Sequence, residues 1–220
     1  MNIKDKIVEE IITAEEVKNN LWKAGFRNTE DRRRYNEAHE KVLDLQRTLA
    51  INEHKSYCVP LDFPYKCDVG APLPHLIQNE HKSILLYFLK SAKKDWFGKS
   101  VEVISLSETE RWIAVLSFKR CQSTRFGAPN DETLEGHPLY GSGLDYYDAY
   151  EVKNSDWIKD LEKINSVHSN HSSKYYEKYK HYFFTFHDSI FECVAMDFEV
   201  EVVNSTMEKT YYEYCKKLFK

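Results

Sequence analysis

Apolar and polar positions alternate most regularly in residues 181–203. Tyr182, Phe184 and Phe186 fall on one face of a strand, and Asp188-Ser189 supplies a short turn, because Asp tolerates positive φ and both side chains bond local backbone. A two-residue turn pairs Phe186 with Phe191, Phe184 with Cys193 and Tyr182 with Ala195, so one face of the hairpin is wholly apolar. The other face carries His181, Phe183, Thr185 and His187 against Met196, Val194, Glu192 and Ile190. Imidazole, hydroxyl and carboxylate on a rigid floor make this mixed face the first place to look for chemistry. From Met196 the parity inverts: Met196, Phe198, Val200 and Val202 are apolar, and Asp197, Glu199 and Glu201 are polar. A bulge near Ala195, or a second layer over that end, reconciles the two parities.

Helical periodicity governs the start of the chain. Ile7, Ile11, Ala14 and Leu21 keep one face, Thr13 with Glu16 fits a capping box, and Gly25 is placed to stop the helix. Thr29 can cap a second helix, with Glu30 and Asp31 at its positive end and Tyr35, Ala38, Val42, Leu45 and Leu49 on its apolar face. Pro60, Pro64, Gly70, Pro72 and Pro74 then interrupt the pattern and read as an extended surface connector. Strands follow from His81 onward at residues 84–89, 101–106 and 112–118, the last with Trp112, Ala114, Leu116 and Phe118 on one side. Residues 121–147 form a long loop, and such loops are more often functional than decorative. A short strand within residues 147–152 precedes a helix capped by Asn154 or Ser155, with Trp157, Ile158, Leu161 and Ile164 facing inward. Ser205 with Glu208 opens a last helix bearing Met207, Tyr211, Tyr214 and Leu218.

These elements predict an α+β fold: a mainly antiparallel sheet of about five or six strands with helices packed on it, plus an N-terminal two-helix appendage. The expected organisation is residues 1–55 as the helical hairpin, 56–80 as the Pro-rich connector and 81–220 as the core domain.

Composition narrows the class. In 220 residues, 42% hydrophobic and 14% aromatic content argue for a packed core. A net charge of −4 offers no basic field, so nucleic acid is not an expected partner. Arg32, Arg33 and Arg34 read as a solvated helix face beside acids. The N-terminus has charges within its first turns and no stretch is long and apolar enough to span a bilayer, so no membrane association is expected. Five cysteines without a Cys-x-x-Cys pair fit a reducing compartment, and a cytoplasmic location is expected.

The candidate chemistry joins two segments. His187, Thr185 and Glu192 lie on the predicted sheet, and Asp131, Glu132 and His137 lie on the long loop that could fold over it. A carboxylate beside an imidazole supports acid–base work, and two histidines with a carboxylate can hold a divalent metal. Whether a metal or cofactor is needed stays open at this level. Tyr140 and Tyr146, with Tyr147, Tyr150, Gly141 and Gly143, could stack a ligand ring or form a partner surface. His168 and His171 have a ligand-like spacing but lack the glutamate of a zinc-peptidase helix. His187-Asp188-Ser189 cannot be an acyl-transfer triad, because adjacent residues point apart.

Three segments, Asp68-Val69-Gly70-Ala71-Pro72-Leu73-Pro74-His75, the loop from Pro129-Asn130-Asp131-Glu132 to Gly136-His137-Pro138-Leu139-Tyr140, and Phe184-Thr185-Phe186-His187-Asp188-Ser189, together resemble a group of uncharacterised bacterial proteins over about residues 68–203. The resemblance implies a bacterial, soluble, single-domain protein and carries over no catalytic residue, cofactor or substrate. The function expected is a binding or interaction module for a small molecule or protein partner, with a loop-covered polar pocket. The alternative is a small hydrolase or lyase in which His187 and His137 act as acid and base or metal ligands, oriented by Glu192 and Asp131, with Thr185, Glu132, Tyr140 and Tyr146 contacting the ligand.

Overall fold

The computed structural model describes residues 2–80, 82–90 and 103–219. Two long helices, α1 (Ile3–Lys23) and α2 (Thr29–Asn52), pack as a hairpin. Asn2, in an Asn2–Asp5 capping box, and Asn28 cap them. Thr13 sits inside α1 and bonds the Glu9 carbonyl, so the expected box at Thr13 does not form. Gly25 has φ +60°, the left-handed stop its position required. Arg33 pairs with Glu30 and Glu37 on a solvated face.

The fold is α+β, and the nine described strands divide between two antiparallel sheets. The five-stranded sheet runs β1 (Tyr57–Pro60), β6 (Ala149–Lys153), β7 (Lys180–Thr185), β8 (Ile190–Ala195) and β5 (Ser123–Gly127). The four-stranded sheet runs β2 (His75–Gln78), β3 (Ser83–Phe88), β4 (Arg111–Lys119) and β9 (Asp197–Ser205). The Pro-rich segment 56–80 is therefore more than a connector, since it gives each sheet an edge strand. Pro60 ends β1, which pairs on one side alone, as a residue without an N–H requires. Of the expected strand at 101–106, its first two residues lie outside the described residues, as does His81, and residues 103–106 are irregular; β3 takes the place beside β4.

The hairpin forms with its register shifted by two residues from the expected one. Phe184 pairs with Phe191 and Tyr182 with Cys193, while residues 186–189 make the turn, in which the Phe186 N–H donates to the Ser189 carbonyl at 2.9 Å. An even shift keeps every side chain on its expected face. Tyr182, Phe184, Phe191 and Cys193 point between the sheets and meet Leu85, Tyr87, Leu116 and Phe118 there. The outer face of the four-stranded sheet is closed by helix α5 (Met207–Lys217), whose Met207 and Tyr214 pack on Ile84, Leu86, Ile113 and Val115. Thr206 caps α5, one residue later than expected.

Residues 121–147 are not a structureless loop. They contain β5 and a 3₁₀ turn, Asp131–Gly136, whose Leu134 packs with Leu139 and Leu144 on Phe183, Tyr150 and Ile190 across the outer face of the five-stranded sheet. Helix α3 (Asp156–Asn165) follows β6, and one short turn, α4 (Ser173–Tyr176), leads into β7. Ile164, expected to face inward, is exposed, and so is Trp112, although Ala114, Leu116 and Phe118 on the same side of its strand are buried. Helix α2 docks on this side, with His39 Nε2 2.7 Å from Asp145 Oδ2 and the Arg47 side chain against Gly143.

Candidate functional site

The outer face of the hairpin carries the mixed polarity expected of it. His181, Phe183 and Thr185 alternate along β7, opposite Val194, Glu192 and Ile190 on β8. Burying a carboxylate here demands partners. Glu192 is 2% exposed and His181 3% exposed, and His181 Nε2 lies 2.9 Å from Glu192 Oε2. Arg125, on the edge strand β5, sits opposite Glu192 in the ladder and brings Nη1 to 3.5 Å from Oε1. Burial pushes the Glu192 carboxyl up, but the hydrogen bond from His181 and the charges of His181, Arg125 and His137 outweigh it and hold the group below its ordinary range.

The second ring nitrogen of His181 lies 2.9 Å from Ser155 Oγ. Ser155 is the N-cap of α3, 5% exposed, and its Oγ accepts the Ile158 N–H at 3.3 Å. Trp157, in the first turn of α3, stacks edge-on to His181 and lies flat beneath the Arg125 guanidinium at 3.9 Å. His137 closes the group from the loop. Its Nδ1 accepts the Leu139 N–H at 3.2 Å, which leaves the ring proton on Nε2, and burial keeps the ring below the ordinary imidazole value. These side chains line a cleft of about 410 Å³, with Lys55, Ser56, Ser142 and Asp160 at its margin.

Comparison of the chain with protein-family models, with curated proteins and with solved structures found no match. The geometry therefore carries the functional argument by itself.

The residues expected at the site fall into two places. Glu192 and His137 meet in the cleft. His187 and Asp131 meet elsewhere, where His187 Nδ1 lies 2.8 Å from Asp131 Oδ2 and the Tyr147 hydroxyl donates to the same oxygen. That bond from Tyr147 comes first among the causes that lower the Asp131 carboxyl, and the bond to Asp131 raises the His187 imidazole. His187 stands in the turn, half exposed, because the longer turn ends β7 at Thr185. Thr185 is buried and satisfied internally: its hydroxyl accepts the Asp148 N–H at 2.9 Å and lies 3.1 Å from the Asp145 carbonyl. Glu132 is exposed on the 3₁₀ turn, and Tyr140 and Tyr146 pack against each other over the Phe183 cluster, outside the cleft lining. His171 pairs with Glu162 at 3.6 Å. Among the described residues, no group of three or more His, Cys, Asp or Glu is arranged to hold a metal ion.

Sequence reasoning placed His181 on the mixed face and Ser155 at a helix cap without joining them, and passed over Arg125. Their separations of 26 and 11 residues from one partner to the next leave no local spacing to read. Among the described residues, no helix is long and apolar enough to cross a membrane.

Proposed function

We propose that the protein is a binding module whose ligand site is the cleft over the outer face of the five-stranded sheet. The ligand is a small polar molecule that offers a carboxylate or carbonyl oxygen to Arg125 and to the His137 Nε2–H, and a flat apolar portion to Trp157. The observation carrying this reading is the buried His181–Glu192 pair at the floor of the cleft. Two groups costly to desolvate are held there by a strand ladder, a helix cap and a stacked guanidinium, so the polar groups stand oriented before a ligand arrives. The two histidines are placed apart: His137 lines the cleft, whereas His187 bonds Asp131 and Tyr147 at the turn.

Titrating isotopically labelled protein with a set of small carboxylates, amides and esters, followed by two-dimensional amide and indole NMR, tests the reading. The Trp157 indole and Arg125 Nε signals are expected to shift with a bound compound, and Arg125→Ala to weaken that binding by roughly tenfold, the worth of one charge-assisted hydrogen bond. Compounds that bind and leave both signals unmoved, or a complete set that perturbs nothing in the cleft, would refute it.

A further inference from the structure

We propose that the cleft is an acyl-transfer site in which Ser155 is the nucleophile, His181 its base and Glu192 the group that orients the imidazole, acting on a small ester. This rests on the ligand site proposed above and names its substrate class. The unbroken chain from Ser155 Oγ to His181 Nδ1 at 2.9 Å and from His181 Nε2 to Glu192 Oε2 at 2.9 Å carries it.

Proton positions follow from the partners. An ionised carboxylate only accepts, so His181 holds its proton on Nε2 and Nδ1 is left as the acceptor. Ser155 Oγ already accepts the Ile158 N–H, so its own proton is the one directed at Nδ1. This is the order hydroxyl, base, orienting carboxylate that activates a serine. The two ring nitrogens are exchanged relative to the chymotrypsin-like arrangement, but either can accept a proton once the other is held as N–H.

Local architecture suits the role. β6 ends at Lys153, Asn154 turns with φ +51°, and Ser155 opens α3. The strand-to-helix turn holds this buried serine at the positive end of the helix, with its hydroxyl against the His181 ring. The turn is clamped: Asn154 Nδ2 donates to the His54 carbonyl at 2.6 Å, Ser56 Oγ donates to the Asn154 carbonyl at 3.1 Å, and the Asp156 N–H donates to Ser56 Oγ at 3.0 Å. Ser155, His181 and Glu192 all line the cleft, as do His137 and Arg125, whose N–H groups are the donors at hand for a developing oxyanion.

In the reaction, Ser155 Oγ bonds to the ester carbonyl carbon while its proton passes to His181 Nδ1. The imidazolium, held through Nε2–H by Glu192, gives that proton to the leaving alkoxide oxygen as the carbon–oxygen bond breaks. Water then attacks the acyl-serine, losing one proton to His181, which returns it to Ser155 Oγ. The products are one alcohol and one carboxylic acid.

A purely structural relay would keep the same distances without making Ser155 react. Treating the folded wild-type protein with excess alkyl fluorophosphonate, then mapping peptides by mass, distinguishes the two. The expected result is one phosphonyl adduct on Ser155, absent in Ser155→Ala, with labelling about 10⁴-fold slower in Glu192→Gln, whose fold is checked by circular dichroism. Wild-type protein left unmodified at Ser155, or a folded Glu192→Gln labelled as fast as wild type, overturns the inference. Compounds that still shift Trp157 and Arg125 while Ser155 stays unlabelled would remove the acyl transfer alone; labelled Ser155 with no compound found in the cleft would instead remove the small-ligand reading.

Discussion

Replacing Glu192 tests whether its buried network stabilises the fold. Glu192→Gln keeps an amide oxygen within reach of the His181 N–H, now 2.9 Å from the carboxylate, and loses the charge on that bond, worth about 1 kcal/mol. The Arg125 contact at 3.5 Å adds less than about 1 kcal/mol, because that side chain is 55% exposed and its charge is screened. Glu192→Met keeps the length and removes both acceptors, leaving the His181 N–H buried and unpaired at a further cost of about 1–3 kcal/mol. Urea unfolding at neutral pH should therefore rank wild type above Gln and Gln above Met, with total losses of about 1–2 and about 2–5 kcal/mol. A second arm uses acid. The folded carboxyl titrates below its ordinary value of 4.5, so its contribution is complete above that pH and is lost as pH falls through the lower folded value. The gap between wild type and Gln should narrow over that acid range. A Met variant as stable as wild type, or a gap unchanged by acid, would refute the reasoning.

Other outcomes follow from single residues. Phe118→Ala, which removes a ring 5.3 Å from Phe191, 5.5 Å from Phe198, 6.0 Å from Tyr182 and 6.2 Å from Phe184, should cost about 3–5 kcal/mol in urea unfolding. Gly143→Ala should destabilise by more than Gly141→Ala, each paying about 1–2 kcal/mol for its positive φ, because only at Gly143 would a Cβ meet the Cys58 carbonyl at 2.9 Å and Arg47 Cγ at 2.5 Å; equal unfolding midpoints would contradict the docking of α2. His187, raised by Asp131, should titrate by NMR above the ordinary imidazole value of 6.5 and return toward it in Asp131→Asn. The sign makes the His187 contribution complete below 6.5 and lost as pH rises through the higher folded value.

Residues whose burial is periodic were legible. Tyr182, Phe184 and Phe191 could be assigned to the core because a two-residue error in register leaves their face unchanged. The turn length was not, since Asp188-Ser189 lacks the positive-φ glycine that would enforce a two-residue connection. Of the four edge strands, β9 shows its alternation, and the other three were illegible for the opposite reason. β5, with no residue fully buried, shows no apolar alternation, and with it Arg125 escaped notice. β1 and β2 lie among prolines that interior strands exclude and edge strands tolerate. At the site, Glu192 was legible as a polar residue on the mixed face of the hairpin, and His137 as a histidine of the loop that could fold over it. Their partners were not, because Ser155 reads locally as a cap and the bond to His181 is made by topology.

The parity inversion at Met196 ties the core and the cleft to one constraint. The Met196 N–H donates to the Lys119 carbonyl at 3.0 Å, and the chain leaves β8 in one sheet to pair along β4 in the other, Phe198 opposite Phe118 and Val200 opposite Leu116. Crossing between facing sheets reverses which parity points inward, so Phe198 and Val200 join the same ring cluster that Phe191 and Cys193 fill from the other side. With the inner face of β7 and β8 committed to that cluster, His181 and Glu192 have only the outer face to occupy. That face is covered by loop and helix termini, whose backbone and capping groups need polar partners, and not by a third sheet. A buried imidazole–carboxylate pair is sustainable there and would not be between the sheets, where its neighbours are rings. The position of the cleft is thus a consequence of how the aromatic core is closed.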